Sequence, residues 1–400
     1  MNKRKILMTA SVWSHIQNFH LPYLREFKRL GWETHVGCAG IPADAPNVDL
    51  AIELPFEKRM LSTANFHARR ILRQRINTEN YDLIITHTTL AAFFTRLAVK
   101  GMVSRPRLVN VMHGYLFDDD APALKRRILL DAERLTAPET DLLLTMNQWD
   151  YDFAVGRRLA RRVEKIPGMG VDFTKLDRVT DSKETLRDRL GLPRAAFLLL
   201  YAAEFSNRKS QSVLIEAMKA LPERALLLLA GDGGQLDACK AQARELGLGD
   251  RVRFLGHVSE IAPLYHASDA CVSASRSEGL PFNVMEAMRV GLPVVASRVK
   301  GHTDLIEDGV SGLLYEYGNA RDCAEKLRQL MDAPALCQAL SAAARARAGA
   351  YRLETVLPVV MDMVVFKSQL CHWPSGQPWM WYVTSLSLRL HTCVMGMLPT

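Results

Sequence analysis

The 400 residues lack pairable cysteines and any apolar run long enough to cross a bilayer. The seven cysteines (38, 239, 271, 323, 337, 371 and 393) are odd in number, widely spaced and never in a C-x-x-C pair. That argues against a zinc site or a disulfide framework and for a reducing cytoplasm. Without a stretch of about 18 uninterrupted apolar residues, no spanning helix is expected. The opening MNKRKILMTASVW starts basic, but its apolar run breaks at Ser14-His15 without a small-residue cleavage pattern, so it reads as a first strand and not a signal peptide. Glycine-rich text occurs without a following Gly-Lys-Ser/Thr, which excludes a P-loop. Aromatics make up 8% and are not interleaved with the basic residues, so nucleic acid is not an expected partner.

What the chain does have is 48% apolar residues, enough for two packed cores at this length. Its net charge of +8 is uneven: residues 1–170 hold 25 basic and 18 acidic residues, residues 171–400 hold 26 and 25. The surplus of the first half suits an anionic partner. Short apolar runs alternate with helix-period stretches in both halves, the pattern of parallel βαβ units. Strands are expected at Ile6 to Ala10, Glu33 to Gly37, Leu83 to Thr86, Leu108 to Met112 and Leu142 to Thr145. A second series, after Ile166-Pro-Gly-Met-Gly-Val-Asp172, is expected at Phe197 to Ala202, Ala225 to Ala230, Val252 to Leu255, Ala270 to Ser273 and Pro293 to Ala296. Two such domains facing each other make a cleft, with ligands beyond the carboxyl ends of the strands.

The most informative segment is Ser275-Arg-Ser-Glu278-Gly-Leu-Pro281-Phe-Asn-Val-Met-Glu286. Pro281 suits the first turn of a helix. The amides of Phe282 and Asn283, with the helix dipole, then make a site for a diphosphate. Glu286 lies one turn in, where it can accept from a ribose diol, and Glu278 enters the same pocket from the loop. Taken alone, two glutamates at this spacing are better explained by a capping residue and a solvated one; the surrounding sequence shifts that balance. Arg208 and Lys209, at the turn after Phe197 to Ala202, offer two cations to a diphosphate. Gly231 and Gly233 close the next strand and would permit close backbone approach to a base or ribose.

Phe254-Leu-Gly-His257, Leu264 to Asp269, Ser275 to Met288, Gly291 to Ala296 and Gly301 to Gly312 closely resemble the retaining glycosyltransferases of family 4, over about residues 5–365. The resemblance implies an α/β chain of GT-B fold, two facing Rossmann-like, doubly wound domains with an interdomain cleft. Residues 1–168 would form the acceptor-side domain and 169–350 the nucleotide-sugar domain, with a crossover helix at 351–367 and an atypical tail at 368–400. It implies that Glu286 binds the ribose and Glu278 the donor hexose, that the Phe282 and Asn283 amides hold the distal phosphate, and that His113, in Val111-Met-His-Gly, contacts the donor sugar. Ser14 and His15 are candidates for the acceptor or phosphate region. The family's frequent Arg is replaced by Glu204, for which Arg208 can compensate, and its Gly-Gly after the first strand by Val12-Trp13.

The same resemblance implies a UDP-linked hexose or N-acetylhexosamine donor, no cofactor and no metal. Asp118-Asp-Asp120 reads as an exposed acidic turn, and Glu260, Asp269, His302 and Asp304 as framing residues. The expected acceptor is a polyprenyl-diphosphate-linked saccharide of capsule, exopolysaccharide or O-antigen assembly. The basic helix at Ser62 to Ile76, with Lys125-Arg-Arg127 and Arg157 to Arg162, suits an anionic membrane surface, placing the protein peripherally at the inner face. Trp373, Trp379, Trp381 and Tyr382 in the tail are either an interfacial anchor or part of a non-homologous terminus. A GT-B epimerase and a non-catalytic nucleotide-sugar-binding subunit stay open as alternatives.

Overall fold

The computed structural model describes residues 3–117 and 121–366. The acidic run 118–120 and the tail from 367 onward, with its aromatic cluster, lie outside the described residues. Two sheets, parallel throughout, organise the rest. The first holds β1 (Lys5–Val12), β2 (Glu33–Ala39), β3 (Leu50–Glu53), β4 (Leu83–His87), β5 (Arg107–Met112), β6 (Leu142–Thr145) and β7 (Val163–Lys165), in the order β3-β2-β1-β4-β5-β6-β7. The second holds β8 (Phe197–Ala202), β9 (Ala225–Ala230), β10 (Val252–Gly256), β11 (Ala270–Ser273), β12 (Val294–Ser297) and β13 (Leu313–Tyr315), in the order β10-β9-β8-β11-β12-β13.

Helices cover both faces of each sheet, so the inner strands read as unbroken apolar runs. Leu226 to Ala230 on β9 are all buried, and each such leucine contributes roughly 1.5–3 kcal/mol through burial. Every strand expected from the apolar runs is present. The three not expected, β3, β7 and β13, are sheet edges of three or four residues. β3 and β7 carry little apolar sequence, as a strand with no neighbour on one side can, while β13 is apolar and buried but only three residues long.

Strand order reverses between β1 and β4 in the first sheet and between β8 and β11 in the second. Those are the switch points where the loops at the strand ends diverge and leave a crevice. The two crevices face one another. Tyr23 Oη donates to the Met169 carbonyl at 2.9 Å, and the Val171 amide to the Tyr351 carbonyl at 2.8 Å. The chain then returns to the first domain: after the helix Leu353–Met361, the carbonyls of Met363 and Val364 accept from the Arg107 guanidinium on β5.

Candidate functional site

At the second-domain switch point the loop after β8 and the loop after β11 meet. Glu278 is 7% exposed. Its carboxylate is held by Lys209 Nζ at 2.5 Å and by an Arg208 guanidinium nitrogen at 2.9 Å. Burial alone would raise its pKa, but Lys209 and Arg208 outweigh burial and hold it at about 2. The two cations expected to face a diphosphate are therefore paired with the carboxylate expected to face the sugar. Gly301 makes room for this side chain: a Cβ there would meet Glu278 Cβ at 2.8 Å.

The following helix runs Phe282–Val290. Pro281 is its N-cap, extended at φ −74° and ψ 123°, and not a first-turn residue as its ring geometry leads one to expect. The Met285 amide reaches back to the Pro281 carbonyl, so the amides of Phe282 and Asn283 lie ahead of the helical ladder. Asn283 Nδ2 is buried with no hydrogen-bond partner among the described residues, a further donor at this end of the helix. Glu286, one turn in, accepts from Tyr265 Oη at 2.9 Å. Burial pushes its pKa up to about 7, and the Tyr265 bond offsets only part of that.

Gly231 and Gly233 have φ near +145°, and a Cβ would lie 2.1 Å from the Ala203 carbonyl oxygen at one and 2.4 Å from that of Phe205 at the other. The close approach they permit here is to the neighbouring β8 loop. Glu204 is exposed and points no carboxylate at Lys209; its carbonyl accepts from Gln211. The four residues expected to frame the pocket all have partners, Glu260 in an exposed pair. His302 bonds Ser273 Oγ and the Ser297 carbonyl, Asp269 binds Lys183 and Arg187, Asp304 accepts from the Gln148 amide, and Glu260 pairs with Lys175.

Across the cleft, Ser14 and His15 lie on the helix Trp13–Phe19, not in a loop. Ser14 is exposed and His15 half-buried. β1 passes into this helix without the glycines that a loop at this point would use. His15 Nε2 lies 3.4 Å from His113 Nε2, which in turn lies 3.2 Å from His87 Nδ1. His20 stacks on His87 with ring centroids 3.6 Å apart. His20 and His87 were not singled out from the sequence, although His87 ends an apolar strand just as His113 follows one. Burial, and in part the neighbouring imidazoles, hold the pKa values of His20, His87 and His113 well below the ordinary histidine range.

The two sides touch directly. A Cβ on Gly279 would lie 2.0 Å from the His113 carbonyl oxygen, which leaves only glycine able to stand there. Phe19 packs edge-on against Phe282, centroids 4.9 Å apart. A clamp invisible in the sequence secures the junction: Lys300 Nζ pairs with the fully buried Asp150 at 2.8 Å and donates to the carbonyls of Tyr115 and Phe117. Asn147 Nδ2 bonds the Gly279 carbonyl at 3.0 Å. Asp150 and Lys300 are too far apart in sequence for any local pattern to link them.

The basic helix, Thr63–Glu79, is partly committed to the fold. Arg73 donates to the carbonyls of Ala98 and Lys100, and Arg69 to that of Leu97, at the end of the helix Thr89–Val99. No helix among the described residues is long and apolar enough to cross a membrane.

Known proteins resemble this chain in sequence and in fold. The description "Glycosyl transferases group 1" matches residues 182–347, and "Glycosyl transferase 4-like domain" matches residues 19–168. EpsD of Bacillus subtilis, a protein with a glycosyltransferase name, is 33% identical over 84% of this chain and 90% of its own length. The chain belongs to this glycosyltransferase family. The transferase is also 24% identical, over 65% of its length and 69% of the relative, to the Escherichia coli UDP-Gal:alpha-D-GlcNAc-diphosphoundecaprenol alpha-1,3-galactosyltransferase. HepE of Anabaena, solved with UDP and glucose, superposes with a TM-score of 0.76 at 22% identity, covering 92% of this chain and 100% of that one. The architecture is GT-B, as two facing Rossmann-like domains require.

Proposed function

We propose that this transferase moves a hexose or N-acetylhexosamine from a UDP-sugar, with retention of configuration, to a saccharide carried on a polyprenyl diphosphate in surface-polysaccharide assembly. The observation that carries the donor half is Glu278, buried between Lys209 and Arg208 beside the N-terminus of the helix Phe282–Val290. Cations and helix amides together stabilise the charge that develops on a departing diphosphate. HepE, of the same fold, binds UDP. Glu286 suits a ribose diol, because two hydroxyl donors favour its ionised form and offset the burial that raises its pKa.

In the proposed step the bond from the anomeric carbon to the diphosphate oxygen breaks. The acceptor oxygen bonds to the same face of that carbon, and its proton passes to the leaving phosphate oxygen. His113, whose carbonyl touches Gly279, stands next to Glu278 on the side where the sugar would lie. Ser14 and His15 face the acceptor.

The lipid-linked acceptor is supported by the E. coli relative, whose name specifies a diphosphoundecaprenol substrate. The helix Ala123–Thr136 supports docking at an anionic membrane face: Leu124, Ile128 and Leu135 are exposed beside exposed Lys125 and Arg127. The test is mass spectrometry of the full chain with a panel of UDP-sugars and polyprenyl-diphosphate saccharides, followed by proton NMR of the product. An α-linked product from an α-configured donor is expected. A β-linked product contradicts retention, epimerised donor without transfer supports the epimerase, and binding without turnover on every acceptor supports a non-catalytic subunit.

A further inference from the structure

One ion pair stands behind both halves of the contact between Glu278-Gly279 and His113-Gly114. The Lys300 side chain is 5% exposed and that of Asp150 is completely buried. An ammonium has three protons to give, and each of them has an acceptor: Asp150 Oδ1 at 2.8 Å, the Phe117 carbonyl at 3.0 Å and the Tyr115 carbonyl at 3.2 Å. The same nitrogen lies 4.3 Å from the centre of the Trp149 ring. Two of these acceptors belong to the loop that follows His113, so a residue of the second domain fixes that loop of the first.

The same network reaches Glu278. The Lys300 carbonyl accepts from the Glu278 amide at 3.3 Å. Gly301, the next residue, leaves room for the Glu278 side chain. Asp150 Oδ2 accepts from Asn147 Nδ2 at 2.8 Å, and that nitrogen also bonds the Gly279 carbonyl at 3.0 Å. Asn147 is fully buried as well.

Stability is a poor reason for this arrangement. Replacing a buried ion pair by apolar groups of similar size is often neutral or stabilising, and the junction already has the apolar contact of Phe19 with Phe282. What an apolar filling lacks is direction, because it cannot hold two carbonyls and a carboxylate at set distances from one cation. A reaction across the cleft needs that direction, since a shift of about 1 Å between reacting groups can cost about 10²-fold in rate.

We propose that Lys300, paired with Asp150, is a positioning residue of the transfer reaction, holding the His113 loop in register with Glu278 across the cleft. The inference rests on the function proposed above. Lys300 acts through His113 and Glu278 and needs no contact with donor or acceptor.

The test compares the full wild-type chain with Asp150→Asn/Lys300→Met, because Lys300→Met alone leaves a buried carboxylate uncompensated and can fail to fold. Denaturant unfolding checks that the double variant is folded; if it is not, Asn147→Ser, which keeps an N-cap oxygen but frees the Gly279 carbonyl, is scored in the same way. UDP release from UDP-glucose, UDP-galactose and UDP-N-acetylglucosamine is measured without acceptor. Water oxygen then bonds to the anomeric carbon in place of the acceptor oxygen, and its proton passes to the leaving diphosphate. The variant should show kcat lower by about 10²-fold, UDP affinity within about twofold of the wild type, and faster amide hydrogen exchange at residues 113–117. A pair that served stability alone would leave rate and local exchange unmoved in a folded double variant. Wild-type kcat in that variant, or a loss of UDP affinity as large as the loss of kcat, overturns the proposal. If the wild type releases no UDP from any of the three sugars, the proposed function fails and exchange decides for Lys300: unchanged exchange at residues 113–117 overturns the proposal.

Discussion

The two switch points occupy equivalent places in two similar sheets but carry opposite chemistry. In the second domain the strand ends gather formal charge, with Glu278 held by Lys209 and Arg208. In the first they gather imidazoles kept neutral by burial. A charged cluster can exchange partners, because a diphosphate can compete with Glu278 for the same cations. Neutral rings cannot attract an anion in that way. The difference supports the proposed seat of the nucleotide in the second domain, although the net positive charge of the sequence lies in the first.

The largest expected effect breaks the contact between the two regions. Asp150→Asn or Lys300→Met leaves one member of a buried pair uncompensated, at a cost of about 3–5 kcal/mol. Denaturant unfolding should show this loss, and the double variant should regain much of it. Next, Lys209→Ala removes a cation from the departing diphosphate and should lower kcat by about 10²–10³-fold in a transfer assay. Equal loss on replacing an exposed lysine such as Lys125 would remove the distinction between the regions.

Glu286 sharpens the comparison through pH. Its folded pKa of about 7 lies above the ordinary 4.5, so the folded chain holds more protons than the unfolded one between those values. Stability of the ligand-free protein therefore falls as pH rises through that window. UDP affinity should move the opposite way, rising from pH 6 to 8 as the carboxylate ionises to accept the ribose diol. Calorimetric titration should show this rise in the wild type and a flat profile in Glu286→Gln. The smallest effect concerns the membrane. Lys125→Glu with Arg127→Glu should weaken binding to anionic vesicles by about 1 kcal/mol per altered charge, read by flotation.

Most of the fold was legible because buried parallel strands must be apolar throughout. The edges β3 and β7 were not, since Leu-Ala-Ile-Glu and Val-Glu-Lys carry no such signature, and β13, apolar and buried as Leu-Leu-Tyr, is too short at three residues to stand out. Of the site, Glu278, Lys209 and the helix after Pro281 could be read because they lie in short local motifs. Arg208 also reaches Glu278, so it fills a place beside Lys209 even though Glu204 faces solvent. The histidine cluster was half legible: His15 and His113 stood out, but His20 and His87 join them only through the β1–β4 pairing. Asp150 and Lys300 could not be paired at all, because their meeting depends on the apposition of the two domains. The freedom of the glycines at 231 and 233 could be read locally, but the β8 loop they make room for could not, because it comes from a different part of the chain.

The most direct test of the division between the regions is the affinity for UDP, measured calorimetrically in the wild type, Lys209→Ala and His15→Gln. Losing a charge-assisted contact to the diphosphate should weaken binding at least about tenfold in Lys209→Ala, while His15→Gln should stay within about twofold of the wild type. Unchanged affinity in Lys209→Ala, or a tenfold loss in His15→Gln, would contradict placement of the nucleotide against the second domain.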